Sequence, residues 1–343
     1  MRLHRIGPLG EDDEPLVEEI VEDPVPRAGE VLLLVAVCGV CHTELDEIEG
    51  RTPPPRLPVI PGHQVVGRVA ALGDHAARFS LGDRLGIAWI HSACGECEYC
   101  RGGFENLCAA FEATGRDADG GYAELVTVSE DFAYAIPDSL DDAVAAPLLC
   151  AGAIGYRSLM LSGIQDGQRL GLTGFGASGH LVLQMVRHLY PQTEVAVFAR
   201  NPAERDFARE LGAAWAGSTE ATAPEQLHAI IDTTPAWKPL VAALANLAPG
   251  GRLVVNAIRK EAVDRDELLT LDYAEHLWLE KEIKSVANIA RSDVEAFLKL
   301  AAAMNIAPRV REYPLAEANR ALRDLRAGRG PGAKVLRVAA PGR

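Results

Sequence analysis

The apolar positions change rhythm near residue 150. Before it, short apolar runs alternate with turn residues. Val31-Leu-Leu-Leu-Val-Ala-Val37 and Val65-Val-Gly-Arg-Val-Ala70 read as strands, and Pro53-Pro-Pro55, Pro58 and Pro61 break the chain between them. Short strands between glycine and proline punctuation predict a barrel-like β fold. After residue 150, strands and helices alternate. Arg169–Thr173 reads as a buried strand, Leu181–Tyr190 as a helix, Glu194–Phe198 as a strand and Pro202–Leu211 as a helix. Further strands are expected at Ala229–Thr233 and Arg252–Ala257, with helical patterns between. That alternation requires crossovers of one hand and predicts a doubly wound parallel sheet, so the fold class is α/β. Asp293–Met304 looks helical, and the tail from Val310 returns to short strands ending at Lys334-Val-Leu-Arg-Val338. There is no internal repeat and no low-complexity linker.

Length and charge narrow the class. A chain of 343 residues suggests two domains. A formal net charge of −14 argues against nucleic acid or an anionic membrane as partner. No apolar run approaches the ~20 residues that span a bilayer. The N-terminal stretch, with Glu11-Asp-Asp-Glu14, lacks the apolar core of a signal peptide, so a cytoplasmic protein is expected. Seven cysteines, an odd number clustered at metal spacing, speak against a secreted disulfide scaffold.

Gly174-Phe-Gly176-Ala177-Ser178-Gly179 follows one expected strand and opens a helix. Its glycines make a tight turn and let backbone approach a pyrophosphate, which the free N–H groups of the helix start then receive. About twenty residues on, a carboxylate would hold the ribose 2′-hydroxyl of NAD. The second strand instead ends Phe198-Ala199-Arg200-Asn201, and a guanidinium suits the 2′-phosphate of NADP. NADP(H) is therefore favoured over NAD(H). The other reading makes Arg200 a solvated turn residue in a site that accepts either cofactor.

Six cysteines fall where zinc would use them. Cys94-x-x-Cys97-x-x-Cys100, followed by Cys108, places four thiols in one short lobe. A four-sulfur shell leaves no open position, so such a zinc is structural. Cys41, in Cys38-Gly-Val-Cys41-His-Thr-Glu-Leu45, follows an apolar strand; His63 lies in Pro61-Gly-His-Gln64; Cys150 lies in Pro147-Leu-Leu-Cys-Ala-Gly152. Two thiolates and one imidazole are the set expected of a second zinc with a vacancy for substrate. Taken singly, Cys150 reads as a small core residue and His63 as structural; the whole set reverses that. Cys38 is left as a buried strand residue.

These pieces, with Ser92-Ala-Cys-Gly-Glu-Cys-Glu-Tyr-Cys100, Asn106-Leu-Cys108 and Gly120-Gly-Tyr-Ala-Glu124, make the chain resemble a zinc-dependent alcohol dehydrogenase of the medium-chain dehydrogenase/reductase superfamily over essentially its full length. The resemblance implies a GroES-like catalytic domain, residues 1–152 and 287–343, carrying both zinc sites. A Rossmann dinucleotide-binding domain, residues 153–286, is inserted in it. It implies two zincs per chain: Cys41, His63 and Cys150 hold the catalytic ion, and Cys94, Cys97, Cys100 and Cys108 the structural one. Thr43 would bond the substrate oxygen and begin a proton relay. Glu44 would orient His63, Trp89 would wall the substrate pocket, and Lys334 would neutralise the cofactor pyrophosphate, with a solvated surface lysine as the alternative. The implied reaction is reversible hydride transfer between a primary or aromatic alcohol, or its aldehyde, and the nicotinamide. A polyol dehydrogenase on the same scaffold and a zinc-stabilised nucleotide sensor without turnover are the competing readings. A homo-dimer or homo-tetramer is implied, paired through an edge strand of the Rossmann sheet placed near Val286–Ile289.

The chain departs from the family pattern at three positions. Gln64 stands where an acid usually follows the zinc histidine, which implies a more Lewis-acidic metal. Asp46 stands where a histidine usually ends the proton relay; it either takes that role or is a plain surface charge. Arg200 replaces the usual acid of the cofactor strand.

Overall fold

The computed structural model describes residues 1–306, 308–329 and 332–338. The chain divides into two compact units, Met1–Cys150 with Ala290–Arg343, and Ala151–Ile289.

The first unit is built on a long strand, β1 (Glu30–Val40), whose side chains at Val31, Leu33, Val35 and Val37 are fully buried. Each such aliphatic burial contributes about 1.5–3 kcal/mol. On one edge β1 pairs with β2 (Val65–Leu72), which pairs with β3 (Arg84–Ile87). Next to β3 lies β5 (Ala133–Ala135), while β4 (Leu125–Ser129) also pairs with β1. The tail strand Ala333–Arg337 joins the other edge of β1, with Lys334 opposite Val40, and Val310–Pro314 lies outermost. Returning the tail to this sheet makes the unit discontinuous in sequence.

Several helices of this unit are not expected from the sequence pattern. Helix α1 (His42–Ile48) begins directly after β1, and a helix at Ala318–Arg326 interrupts the tail where only short strands were expected. Another difference concerns hydropathy. The helical run Asp142–Ser162 is long and apolar enough by composition to cross a membrane, yet it is mostly buried inside the protein. Its apolarity is that of a core helix. The run comprises α2 (Asp142–Pro147), a π-helical turn at Leu148–Gly152, and α3 (Ala153–Ser162).

The second unit is a six-stranded parallel sheet. In chain order its strands are β6 (Arg169–Thr173), β7 (Glu194–Phe198), β8 (Trp215–Gly217), β9 (Leu227–Asp232), β10 (Leu247–Val255) and β11 (Glu282–Ser285). They lie in the order β8-β7-β6-β9-β10-β11. This is the doubly wound dinucleotide-binding topology, which reverses direction between β6 and β9, and the crevice at the carboxyl ends of those two strands is where ligands bind. All four residues of β11 are exposed at the sheet edge. The segment expected near that edge begins where β11 ends, and its Val286 and Ile289 are buried at 6% and 3% exposure.

Candidate active site

The sequence delivers three ligand-type side chains to one point in the first unit by three devices. Strand β1 ends at Val40, so Cys41 leaves the sheet and becomes the N-cap of α1. Residues 60–63 are held by the segment Gly120-Gly121-Tyr122, whose amides donate to Ile60 O at 2.7 Å, Gly62 O at 2.9 Å and Pro61 O at 3.0 Å. Cys150 lies in the π-helical turn, an irregularity that re-aims a side chain and is frequent at functional sites.

Gly62 has φ +102°, and a Cβ there would lie 2.4 Å from the Tyr122 ring and 2.8 Å from Cys38 Sγ. Both the conformation and the space demand glycine. Gly62→Ala is expected to cost roughly 1–3 kcal/mol. Urea denaturation checks this, and an unchanged midpoint would show that the loop tolerates the methyl group.

Cys41, His63 and Cys150 offer ligand atoms that all lie within 4.8 Å of one another. The Cys41 and Cys150 sulfurs are 3.9 Å apart. Tetrahedral zinc with Zn–S bonds of ~2.3 Å needs sulfurs about 3.8 Å apart. His63 Nδ1 lies 2.5 Å from Glu44 Oε1, while its buried Nε2 has no hydrogen bond among the described residues. A buried imidazole nitrogen without a partner is costly unless something else takes its lone pair. The donor set therefore fits a zinc ion. Glu44, fully buried, also accepts from Cys41 N at 2.7 Å through its second oxygen. One carboxylate thus fixes two ligand-bearing residues. Thr43 Oγ1 lies 3.6 Å from Cys41 Sγ, which brings its hydroxyl beside the same point.

The electrostatics agree. The Cys150 hydrogen bond, followed by His63, holds the Cys41 thiol well below its ordinary pKa against the effect of burial. Burial alone would lower the His63 pKa, but the Glu44 charge and the Cys41 sulfur reverse this and raise it well above its ordinary value. Cys150 is pushed up by its bond to Cys41 and by burial. The shifts thus run in opposite directions within the trio, Cys41 toward the thiolate and His63 and Cys150 toward holding a proton, and a divalent cation would add its own charge there.

The second cluster is Cys94, Cys97, Cys100 and Cys108. Sulfur separations of 3.8 Å (Cys94 to Cys100) and 3.5 Å (Cys94 to Cys108) again match a metal-sized tetrahedron. Backbone amides of Cys97, Cys100 and Ala110 donate to Cys94, Cys97 and Cys108 sulfurs, each at 3.4 Å. Donation from the Glu96 and Cys97 amides lowers Cys94 to about 6, whereas burial raises Cys100 to about 12. Four sulfurs fill the shell, so this cluster fits a closed structural site.

The remaining expected residues fall as follows. Asp46 is buried, and Arg51 Nε pairs with it at 2.5 Å; Arg51 also pairs with Glu49, which binds Arg326. It is not a plain surface charge. Gln64 is buried, with its side chain filling the space where a Cβ on Gly39 would lie. Trp89 is buried against Phe111 with ring centroids 5.1 Å apart, and the Arg116 guanidinium lies over the Trp89 ring, 5.8 Å from its centroid. Lys334 is 3% exposed, which excludes a solvated surface lysine, and burial lowers its pKa. Glu47 was not anticipated. It is 2% exposed, its Oε1 has no hydrogen-bond partner among the described residues, and burial followed by the Glu44 charge raises its pKa well above the ordinary range. Its spacing of four from Thr43 and three from Glu44 on one short helix was the available signal.

In the second unit, Gly174 has φ +82°, and a Cβ there would lie 2.5 Å from Thr233 Oγ1. A Cβ on Gly176 would meet nothing within 4 Å, so open space lies before the loop. Ala177 is exposed, Ser178 half-buried, and Gly179 buried at the start of α4 (Gly179–Leu189). Arg200 is exposed immediately after β7, and Arg205 Nη1 donates to the carbonyls of Ala199 at 2.8 Å and Arg200 at 3.0 Å. The loop and the crevice fit a dinucleotide.

A Rossmann sheet and a GroES-like sheet, the latter bearing two metal-type clusters, define a class: the medium-chain dehydrogenases. Comparison with known proteins agrees. The family described as the alcohol dehydrogenase GroES-like domain matches residues 27–138. A probable alcohol dehydrogenase, AdhA, from Mycobacterium tuberculosis is 42% identical over 342 residues, covering 98% of this chain and 96% of that one. An alcohol dehydrogenase from Geobacillus stearothermophilus is 33% identical, covering 93% of this chain and 94% of its own. Among solved structures, a cinnamyl alcohol dehydrogenase from Sorghum bicolor superposes with a TM-score of 0.80 at 26% identity, over 98% of this chain and 97% of that one. The chain belongs to the alcohol dehydrogenase family.

Proposed function

We propose that the chain is a zinc-dependent alcohol dehydrogenase and aldehyde reductase acting on primary or aromatic alcohols with NADP(H). The observation that carries this is the trio Cys41, His63 and Cys150, with sulfurs at metal spacing and an unpartnered His63 Nε2. These three residues would hold the catalytic zinc, a Lewis acid that acidifies a substrate hydroxyl and polarises a carbonyl. Gly174, Gly176 and Gly179 would hold a nicotinamide dinucleotide, which would supply the hydride acceptor for oxidation and the donor for reduction. Thr43 Oγ1 accepts the substrate hydroxyl proton and hands it on. Asp46, three residues along α1 and held by Arg51, ends that path. Glu44 keeps His63 in the tautomer with Nε2 free. Lys334, an ammonium at 3% exposure, supports the pyrophosphate role. Cys94, Cys97, Cys100 and Cys108 would hold the second zinc.

A panel of benzyl alcohol, ethanol and sorbitol with NAD and NADP tests the reading. The expected result is cofactor reduction by the first two; turnover of sorbitol alone would move the substrate class to polyols, and no turnover of any would support a sensor.

Arg200 carries the cofactor preference, since it is the exposed cation that follows β7 where a carboxylate would otherwise stand. Losing a charge-assisted hydrogen bond costs about 1.5–3 kcal/mol, so Arg200→Ala should lower kcat/KM for NADP roughly tenfold or more while leaving NAD nearly unchanged. A clear NADH preference in the unaltered protein contradicts this.

The exposed edge strand β11, with Ile283 on it and Trp278 and Leu279 shortly before it, each about half exposed, is the surface we assign to self-association as a homo-dimer or homo-tetramer.

A further inference from the structure

The carboxyl end of β9 carries a buried charge pair outside the metal clusters. Asp232 is the last residue of β9 and is fully buried. The Lys260 ammonium pairs with Asp232 Oδ2, and its side chain is 7% exposed. That ammonium also donates to Thr234 O at 2.8 Å and Ala236 O at 3.0 Å. All three of its N–H donors are therefore used. The other carboxylate oxygen, Oδ1, accepts from Thr234 N at 3.0 Å and Thr234 Oγ1 at 2.7 Å. Lysine is not this chain's default cation, since only six of its 34 basic residues are lysines. A compact ammonium with three rotatable donors meets a carboxylate and two carbonyls that a planar guanidinium would not fit.

The loop so held packs on the glycine turn. Thr233 donates to Thr173 O from its backbone N at 2.8 Å and from Oγ1 at 3.0 Å. The Thr233 Oγ1 and Thr234 Cγ2 atoms bound the space above Gly174, at 2.5 and 3.1 Å from where a Cβ would lie. Gly174 and Asp232 sit at the ends of β6 and β9, the point where the sheet order reverses. A bare carboxylate there would oppose an anionic pyrophosphate, and Lys260 cancels it.

We propose that Lys260 is a positioning residue for the dinucleotide: through Asp232, Thr234 and Ala236 it fixes the β9 loop against Gly174 and keeps this point neutral. The proposal rests on the reading that this unit binds a nicotinamide dinucleotide.

The test is NADPH binding without alcohol, followed by cofactor fluorescence, alongside thermal melting and zinc content. Lys260→Met should raise the NADPH Kd tenfold or more, with zinc content unchanged. It also leaves a buried bare carboxylate and can unfold the protein. The double variant Asp232→Asn with Lys260→Met removes both charges, so its melting temperature should return toward that of the unaltered protein. Its Kd should stay raised at least threefold, because the links to Thr234 O and Ala236 O are gone. A double variant with recovered melting and an unaltered Kd would make the pair merely structural and overturn the proposal. Failure of the unaltered protein to bind NADPH or NADH would instead overturn the dinucleotide reading itself.

Discussion

Replacing Cys150 with serine is expected to lower the zinc content from two ions per chain to one and to cut alcohol-dependent cofactor reduction roughly a thousandfold or more. The magnitude follows from losing several kcal/mol of charge stabilisation at the reacting oxygen, each ~1.4 kcal/mol being a factor of ten. The fold should persist, because serine nearly conserves the shape of cysteine and Cys150 lies at a half-buried π-helical turn. His63→Ala should behave alike while leaving Glu44, now without its Nδ1 partner, buried and unpaired on one oxygen. Elemental analysis and a turnover assay on the same sample check both variants. A Cys150→Ser protein that keeps two zincs and turns over within a few-fold of the unaltered protein would remove Cys150 from the site.

Replacing Cys108 with alanine should have the opposite profile. Cys108 is 2% exposed, its sulfur is 3.5 Å from Cys94 Sγ, and it accepts from Ala110 N. Structural zinc supplies about 10–16 kcal/mol of apparent binding energy in small zinc domains, and that binding energy is folding energy. One zinc should be lost and the melting temperature should fall sharply. The surviving folded fraction should retain kcat, since a closed four-sulfur shell has no position for substrate. Thermal melting with active-site-normalised kcat separates the two effects. An unchanged melting temperature with a collapsed kcat would place chemistry in this lobe.

Strands β6 and β7 match the sequence reading residue for residue, because a strand buried on both faces is written as an uninterrupted apolar run. Helix α1 escaped it for a physical reason. Glu44, Asp46 and Glu47 suggest a solvated surface, yet all three are buried. Glu44 is answered by His63 and Asp46 by Arg51, and His63 lies nineteen residues away from Glu44. The helix Ala318–Arg326 is similarly disguised by its arginines. Both candidate metal clusters were legible because thiolates and imidazoles are favoured zinc donors: four of the cysteines lie at close spacing, and the trio Cys41, His63 and Cys150 fits the family motif. The pair Asp232 and Lys260 was not, since twenty-eight residues separate them and neither type is rare at a surface. The three devices that assemble the trio, a strand end, a glycine-laced loop and a π-helical turn, have no periodicity to read.

The most direct measurement is NADP reduction with benzyl alcohol before zinc removal, after it, and after zinc is returned. Activity should vanish as the zinc of the Cys41, His63 and Cys150 trio leaves and recover when that site is refilled. Undiminished cofactor reduction by the zinc-free protein, or none by the fully loaded one, would contradict the assignment of Cys41, His63 and Cys150 as the chemical centre.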